Sequence, residues 1–249
     1  MEPPVIRLEG VSKTFTTQNG SVVKALDDIT FDVNERDFVS IIGPSGCGKS
    51  TILRLISGLD QASSGSISLS DAVDKDGFGY VFQDSVLLPW KTVKENIAFP
   101  LEIKGDEDGE GAKRVERLLK TVGLEGFANS YPKELSGGMR QRTSIARSLS
   151  YDPDVLLMDE PFGALDALTR DSLNVELRRI WKDTSKTIVF VTHDIDEAVF
   201  LSTKVVVLSG RPSKVREVVP IELEDDRDLS VRSNPRFHAY ADTLRGMLE

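Results

Sequence analysis

The chain has 249 residues, 39% of them hydrophobic, with a net charge of −9 and a pI near 4.9. That length and composition suit a globular protein with a real core. The acidic balance argues against a general nucleic-acid binder, which would carry a basic face. The single cysteine, Cys47, excludes an intrachain disulfide and fits a reducing compartment. The opening MEPPVIRLEG lacks the charge and apolar run of a signal peptide, and no window approaches the roughly 20 apolar residues that cross a bilayer.

Apolar runs rich in Val, Ile and Phe recur along the chain: FVSII (38–42), SISL (66–69), YVF (80–82), VLLM (155–158), TIVFV (187–191) and KVVVL (204–208). Several are short and do not alternate, the pattern of strands buried on both faces. Helical faces lie between them. Ala112, Val115, Leu118, Leu119 and Val122 share one, and Leu173, Leu177, Ile180 and Trp181 another. Phe237, Tyr240, Ala241, Leu244 and Leu248 share a last one. Strands alternating with helices predict an α/β fold with a mainly parallel sheet. From Asp84 to Ser150 the pattern gives helices and turns but no strand. GDEDGEG (105–111) reads as an acidic loop, and ELEDDRD (222–228) as a charged surface link to the last helix. The expected division is a single domain, 1–249. Its α/β core spans 1–83 and 151–220, an inserted helical subdomain 84–150, and a tail and helix 221–249.

The stretch GPSGCGKST (43–51) follows the first buried run and precedes ILRLI. It fits G-x-x-x-x-G-K-[ST] through Gly43, Gly48, Lys49 and Ser50. Glycines let successive N–H groups curl toward one anion, and a helix starting near Lys49 adds its positive end. Lys49 suits phosphate oxygens and Ser50 suits Mg²⁺. In DVLLMDEP (154–161), Asp159 and Glu160 end a buried run, where adjacent carboxylates are costly without a cation or proton chemistry. Asp159 suits Mg²⁺ and Glu160 suits a water, although such a pair also caps helices. Gln83 and His193 are single polar residues after two further runs. Alone, each reads as a structural side chain. Together with Lys49 and Asp159 they converge, because open α/β sheets bind ligands at the carboxyl ends of their strands. LSGGMRQR (135–142) opens another helix, whose Ser136, Gly137 and Gly138 make a second anion site. Cys47 reads as a tolerated small residue, with a redox-sensitive thiol as the alternative.

GPSGCGKST, VFQD, LSGGMRQR, VLLMDEP, GALD and VTHD stand in this order over residues 4–220. The set resembles the ATP-binding subunit of an ABC transporter. The resemblance implies a P-loop NTPase with a RecA-like core, an ABC β-subdomain and an inserted α-helical subdomain. It implies ATP and Mg²⁺ as cofactors and a head-to-tail pair of chains around two ATP molecules. Gly43, Pro44, Ser45, Gly46, Cys47, Gly48, Lys49, Ser50 and Thr51 would cradle the phosphates, and Phe15 would stack on adenine. Ser50, Gln83 and Asp159 would serve Mg²⁺, Glu160 would be the general base, and His193 would touch the γ-phosphate. Ser136, Gly137 and Gly138 would close on the opposite γ-phosphate, with Asp166 at the dimer seam.

The family often has Tyr where Phe15 stands, and Gly-Glu where this chain has Glu35-Arg36-Asp37. Leu87-Leu88-Pro89-Trp90 after Gln83 is similar to import cassettes for nitrate, taurine and aliphatic sulfonates. That likeness implies a membrane permease docking near Gln83 to Trp90, a solute-binding protein, no nucleic acid, and a peripheral place on the cytoplasmic face of the membrane. A soluble ABC ATPase acting on ribosomes or DNA is the alternative, and a small-molecule kinase a more distant one.

Overall fold

Residues of the central strands alternate between two apolar cores. Phe38, Ile42, Leu156, Met158, Ile188, Phe190, Val205 and Val207 face one. Val39, Ile41, Val155, Leu157, Val189, Val191, Val206 and Leu208 face the other. Period-two alternation with both faces apolar is what makes these runs read as unbroken in sequence. The structure is a computed structural model. It describes residues 3–17, 19–71, 73, 77–106, 109–163 and 165–249.

In chain order the strands and helices are β1 (Ile6–Thr16), β2 (Val22–Val33), β3 (Phe38–Ile42), α1 (Lys49–Ile56), β4 (Ser64–Leu69) and β5 (Phe78–Val81). There follow α2 (Val93–Lys104), α3 (Glu110–Thr121), α4 (Gly137–Leu149), β6 (Val155–Asp159), α5 (Ala167–Thr184) and β7 (Thr187–Val191). The chain ends with α6 (Ile195–Leu201), β8 (Lys204–Leu208), β9 (Val215–Pro220) and α7 (Pro235–Leu248). The main sheet has the order β5-β6-β7-β3-β8-β9, parallel except for β9. A second sheet, β2-β1-β4, is antiparallel and covers one core together with α1. SISL therefore forms a strand, but in this second sheet and largely exposed.

Among the described residues, 84–150 holds α2, α3, α4 and short 3-10 turns, with no strand. A Thr92–Glu95 capping box starts α2, closing two of its open backbone donors. The predicted acidic loop lies partly outside the described residues, at Glu107 and Asp108. Glu110 and Gly111 already belong to α3, and Gly111 is buried. The other core joins α2–α4, one sheet face, α5, α6 and α7.

The 222–228 link is not wholly a surface segment. Arg227 is 6% exposed. Its Nη1 donates to the carbonyls of Val199, Phe200 and Ser202 at 3.1, 3.0 and 2.9 Å. A guanidinium is thereby held against the carbonyl end of α6, where positive charge is favourable. Ile221, Phe237, Ala241 and Leu244 are buried in the same core, so the last segment is packed into the fold.

Candidate active site

The carboxyl ends of the parallel strands are in register. Ile41 and Asp159 both pair with Val191, and Val81 pairs with Met158. Residues at or just beyond the carboxyl ends of β3, β5, β6 and β7 thus emerge along one edge of the sheet. The loop 43–51, Gln83, Asp159–Glu160 and His193 are those residues.

Two glycines shape the loop. Gly48 has φ 106°, and a Cβ there would lie 2.8 Å from Leu26 Cδ2. A Cβ on Gly43 would lie 2.9 Å from Cys47 Sγ and 3.0 Å from Leu208 Cβ. Only glycine fits the first position without strain, and only a bare backbone fits the second. The loop wraps the buried Lys49, whose Nζ donates to the carbonyls of Gly43 at 3.0 Å and Pro44 at 3.4 Å. Pro44, Ser45 and Gly46 form an exposed rim, Cys47 is buried, and Thr51 is half-buried. Among the described residues no side chain caps the N-terminus of α1, whose N-cap is Gly48, leaving its first-turn amides without a cap acceptor.

Opposite the loop, the Ser50 hydroxyl donates to Asp159 Oδ1 at 2.8 Å. Burial pushes the Asp159 carboxyl above the ordinary aspartate range, and the Ser50 hydrogen bond pulls it back. Neighbouring Glu160 raises it further, and Lys49 opposes that. This pair of hard oxygen donors suits Mg²⁺, and a cation there would relieve the buried charge.

Glu160 has φ 42°, a left-handed backbone unusual for a residue with a side chain. Its N–H donates to Val191 O at 3.0 Å, and its carbonyl accepts from Gly163 N at 3.1 Å. The surrounding backbone imposes this strained turn. It brings Glu160 Oε2 to 2.9 Å from His193 Nδ1 and Oε1 to 3.8 Å from Lys49 Nζ. Gln83 is exposed beside them. A Cβ on Gly163 would sit 3.9 Å from Gln83 Nε2 and 3.7 Å from Glu160 Oε2. No hydrogen bond joins Gln83 to Ser50 or Asp159 among the described residues.

Ser136, Gly137 and Gly138 form a second group. Ser136 caps α4, accepting from Met139 N at 3.2 Å. A Cβ on Gly138 would meet Thr169 Cγ2 at 2.8 Å, so the start of α4 lies against the start of α5. Asp166 caps α5, accepting from Thr169 N at 3.0 Å. A cavity of 360 Å³ between these helix ends is lined by Ser136, Gly138, Arg142 and Thr169, among others. No hydrogen bond or ion pair connects this group to Lys49 among the described residues, so the two groups stand apart within one chain. Ala164, within GALD, lies outside the described residues.

Phe15 is 40% exposed on β1, with Lys13 Nζ 5.0 Å from its ring centroid. Lys13 pairs with Leu26, the residue that touches the Gly48 position, so the β1–β2 ribbon carries Phe15 along the flank of the loop. Sequence reasoning missed Arg211. It lies between β8 and β9, and its Nη2 donates to Gly46 O at 2.7 Å. No motif or periodicity marks it. The only signal was a basic residue in a Gly-Arg-Pro turn.

A family model described as ABC transporter matches residues 26–163. The chain is 46% identical over 231 residues to the aliphatic sulfonates import ATP-binding protein SsuB of Bacillus cereus, covering 92% of this chain and 90% of that one. It is 44% identical over 254 residues to the taurine import ATP-binding protein TauB of Rhizobium johnstonii, covering 98% and 96%. Among solved structures, a dimeric post-hydrolysis state of the ATP-binding cassette MJ0796 bound to ADP and Pi superposes with a TM-score of 0.75 at 34% identity. That match covers 88% of this chain and all of the other. With its P-loop core and these matches, the chain belongs to the ABC transporter family, as an ATP-binding subunit with ATPase activity.

Proposed function

We propose that this chain powers uptake of a small anion, organic or inorganic, such as an aliphatic sulfonate, taurine or nitrate. The observation that carries the energy-coupling part is the cluster of Lys49, Ser50, Asp159, Glu160 and His193 at one sheet edge, joined by contacts of 2.8 to 3.8 Å. The names of the relatives favour import and the anion class.

In this reading the loop 43–51 holds the ATP phosphates through backbone N–H groups, and Lys49 turns its ammonium onto them. Phe15 stacks on the base. Ser50, Asp159 and Gln83 would hold Mg²⁺, which when bound would neutralise part of the phosphate charge. Glu160 takes a proton from a water as that water's oxygen bonds to the γ-phosphorus and the bond to ADP breaks. His193 fixes the Glu160 carboxylate and offers its other ring nitrogen to the γ-phosphate. Most of the rate then comes from position and fixed charge.

Two chains pack head to tail, a reading supported by the dimeric MJ0796 cassette. Ser136, Gly137 and Gly138 of one chain close on the γ-phosphate of the other, with Asp166 at the seam. Residues 84–150 act as the signature-bearing helical subdomain. Its permease docks near Gln83 to Trp90, next to a 590 Å³ groove lined by Leu59, Tyr80, Pro100, Ile103 and Tyr151, among others, whose Tyr80 ring lies 4.4 Å from that of Phe82. Leu59 and Ile103 are 58% and 71% exposed there, and Phe82, Val86 and Trp90 on either side of Gln83 are also exposed. An apolar patch of this kind, beside a catalytic glutamine, suits a helix from a membrane partner. Among the described residues no helix is long and apolar enough to cross a membrane. In this reading the chain is held at the cytoplasmic face by its docking on the permease.

The test is to express tagged Glu160→Gln protein in its native cell, hold it with ATP, solubilise gently and identify what is captured. A multi-span membrane protein is expected, and its binding protein can then be titrated with taurine, alkanesulfonates and nitrate. Ribosomal proteins or DNA factors without a membrane partner would overturn the reading.

A further inference from the structure

Two turns of the site come from distant parts of the sequence and are bridged by one side chain. Arg170, one turn into α5, donates from Nη2 to Leu165 O at 3.0 Å and from Nη1 to Asp194 Oδ2 at 3.3 Å. Leu165 precedes Asp166. Asp194 follows His193 and caps α6, accepting from the N–H groups of Asp196 and Glu197 at 2.9 and 3.1 Å. Glu197 is 4% exposed, and its Oε2 accepts from Thr192 Oγ1 at 2.6 Å. Thr192 Oγ1 in turn accepts from Asp194 N at 3.0 Å. The His193 turn is therefore gripped from both sides by one polar network.

The network has slack. Among the described residues, Arg170 Nε and Glu197 Oε1 are buried and make no hydrogen bond within normal distance, their closest approach being the 3.8 Å ion pair between them, while Asn174 also bears on Glu197. Shortening that contact to hydrogen-bond distance would turn the ion pair into a hydrogen bond. Buried polar groups that can pair and do not are costly, which favours any movement that pairs them. A shift of the Leu165–Asp166 turn pulls directly on the guanidinium that would make the bond.

We propose that Arg170 is a positioning residue that couples the turn bearing Asp166 to the turn bearing His193, so that closure at the first sets the pose of the second. This rests on the reading of Asp166 as a seam residue and His193 as a γ-phosphate contact. Arginine suits this role because its planar fork offers separate N–H donors to the Leu165 carbonyl and to Asp194 in one fixed geometry.

The experiment is a double-mutant cycle on the purified full chain. Asp166→Ala, His193→Gln and the pair are assayed for kcat and KM of ATP hydrolysis, first with Arg170 present and then with Arg170→Met. Thermal melting is followed throughout. With Arg170 present, the pair is expected to lose little more than the worse single variant; with Arg170→Met, the two losses are expected to multiply. Arg170→Met alone should lower kcat about tenfold with KM for ATP within about twofold, the mark of a group that acts after binding. Arg170→Lys, which keeps the charge, should show the same loss of coupling with an unchanged melting temperature, and it serves if the methionine variant does not fold. Equal coupling with and without Arg170, or losses that already multiply with it present, would overturn this inference alone. If Asp166→Ala and His193→Gln each left kcat unchanged, the assigned roles and the inference would both fall.

Discussion

Glu160 and His193 face each other across the ends of β6 and β7, with Oε2 and Nδ1 2.9 Å apart. The contact joins a carboxylate on a strained backbone to an imidazole one strand away. It fixes the proposed general base in one pose before water arrives. Replacing His193 by Gln should lower kcat about 100-fold, within the range of a positioned acid–base or electrostatic group, while ATP binding changes little. Steady-state hydrolysis with a nucleotide-binding titration separates the two. A fall in affinity that matched the fall in kcat would place His193 in binding instead.

Gly48→Ala places a Cβ 2.8 Å from Leu26 Cδ2 on a backbone with φ 106°. The strain should cost about 1–3 kcal/mol and distort the phosphate loop. A lower melting temperature and at least tenfold weaker ATP binding are expected from calorimetry. Gly58 also has a positive φ of 73°, but nothing lies near its Cβ position. Gly58→Ala should therefore lower stability and leave ATP affinity unchanged.

Burial raises the Glu197 carboxyl above the ordinary glutamate range, with Asp194 adding to the shift and Thr192 opposing it. In the unfolded chain a glutamate titrates near about 4.3. Between that value and the raised one the native state binds more protons, so this group's contribution falls as pH rises and is fully lost above the raised value. Gln at this position does not titrate. The stability of Glu197→Gln relative to wild type should therefore grow as pH climbs out of the carboxylate range, and denaturant unfolding across pH measures it. A pH-independent difference would contradict the burial argument.

Cys47 is 1% exposed, with its sulfur packed in the loop and in the core below it. A thiol reagent should label the native protein slowly and the denatured protein at once. Fast native labelling, blocked by ATP, would instead favour the redox-sensitive reading of this residue.

The strands of the parallel sheet were legible because burial on both faces leaves long apolar runs. The phosphate loop, Asp159–Glu160 and His193 were legible because each sits directly after such a run. β1 and β2 were not. Their pairing shifts register between Leu8 and Val11 and again near Lys13, so no steady alternation survives in the sequence. Arg227 was hidden in an acidic run because its partners are carbonyls from α6, which composition cannot show. Arg170 and Arg211 were missed for the same reason: their partners are backbone carbonyls or charged groups of distant turns. The groove around Leu59 and Ile103 joins residues far apart in sequence, brought together where the end of α1, β5, α2 and Tyr151 meet.

The most direct measurement is sedimentation of the Glu160→Gln protein with and without MgATP, paired with its turnover rate. The expected result is a monomer without nucleotide, a dimer with it, and hydrolysis slowed at least 100-fold, as for loss of a general base. A protein that bound ATP yet stayed monomeric, or that still turned over near the wild-type rate, would contradict a site shared between two chains and served by Glu160.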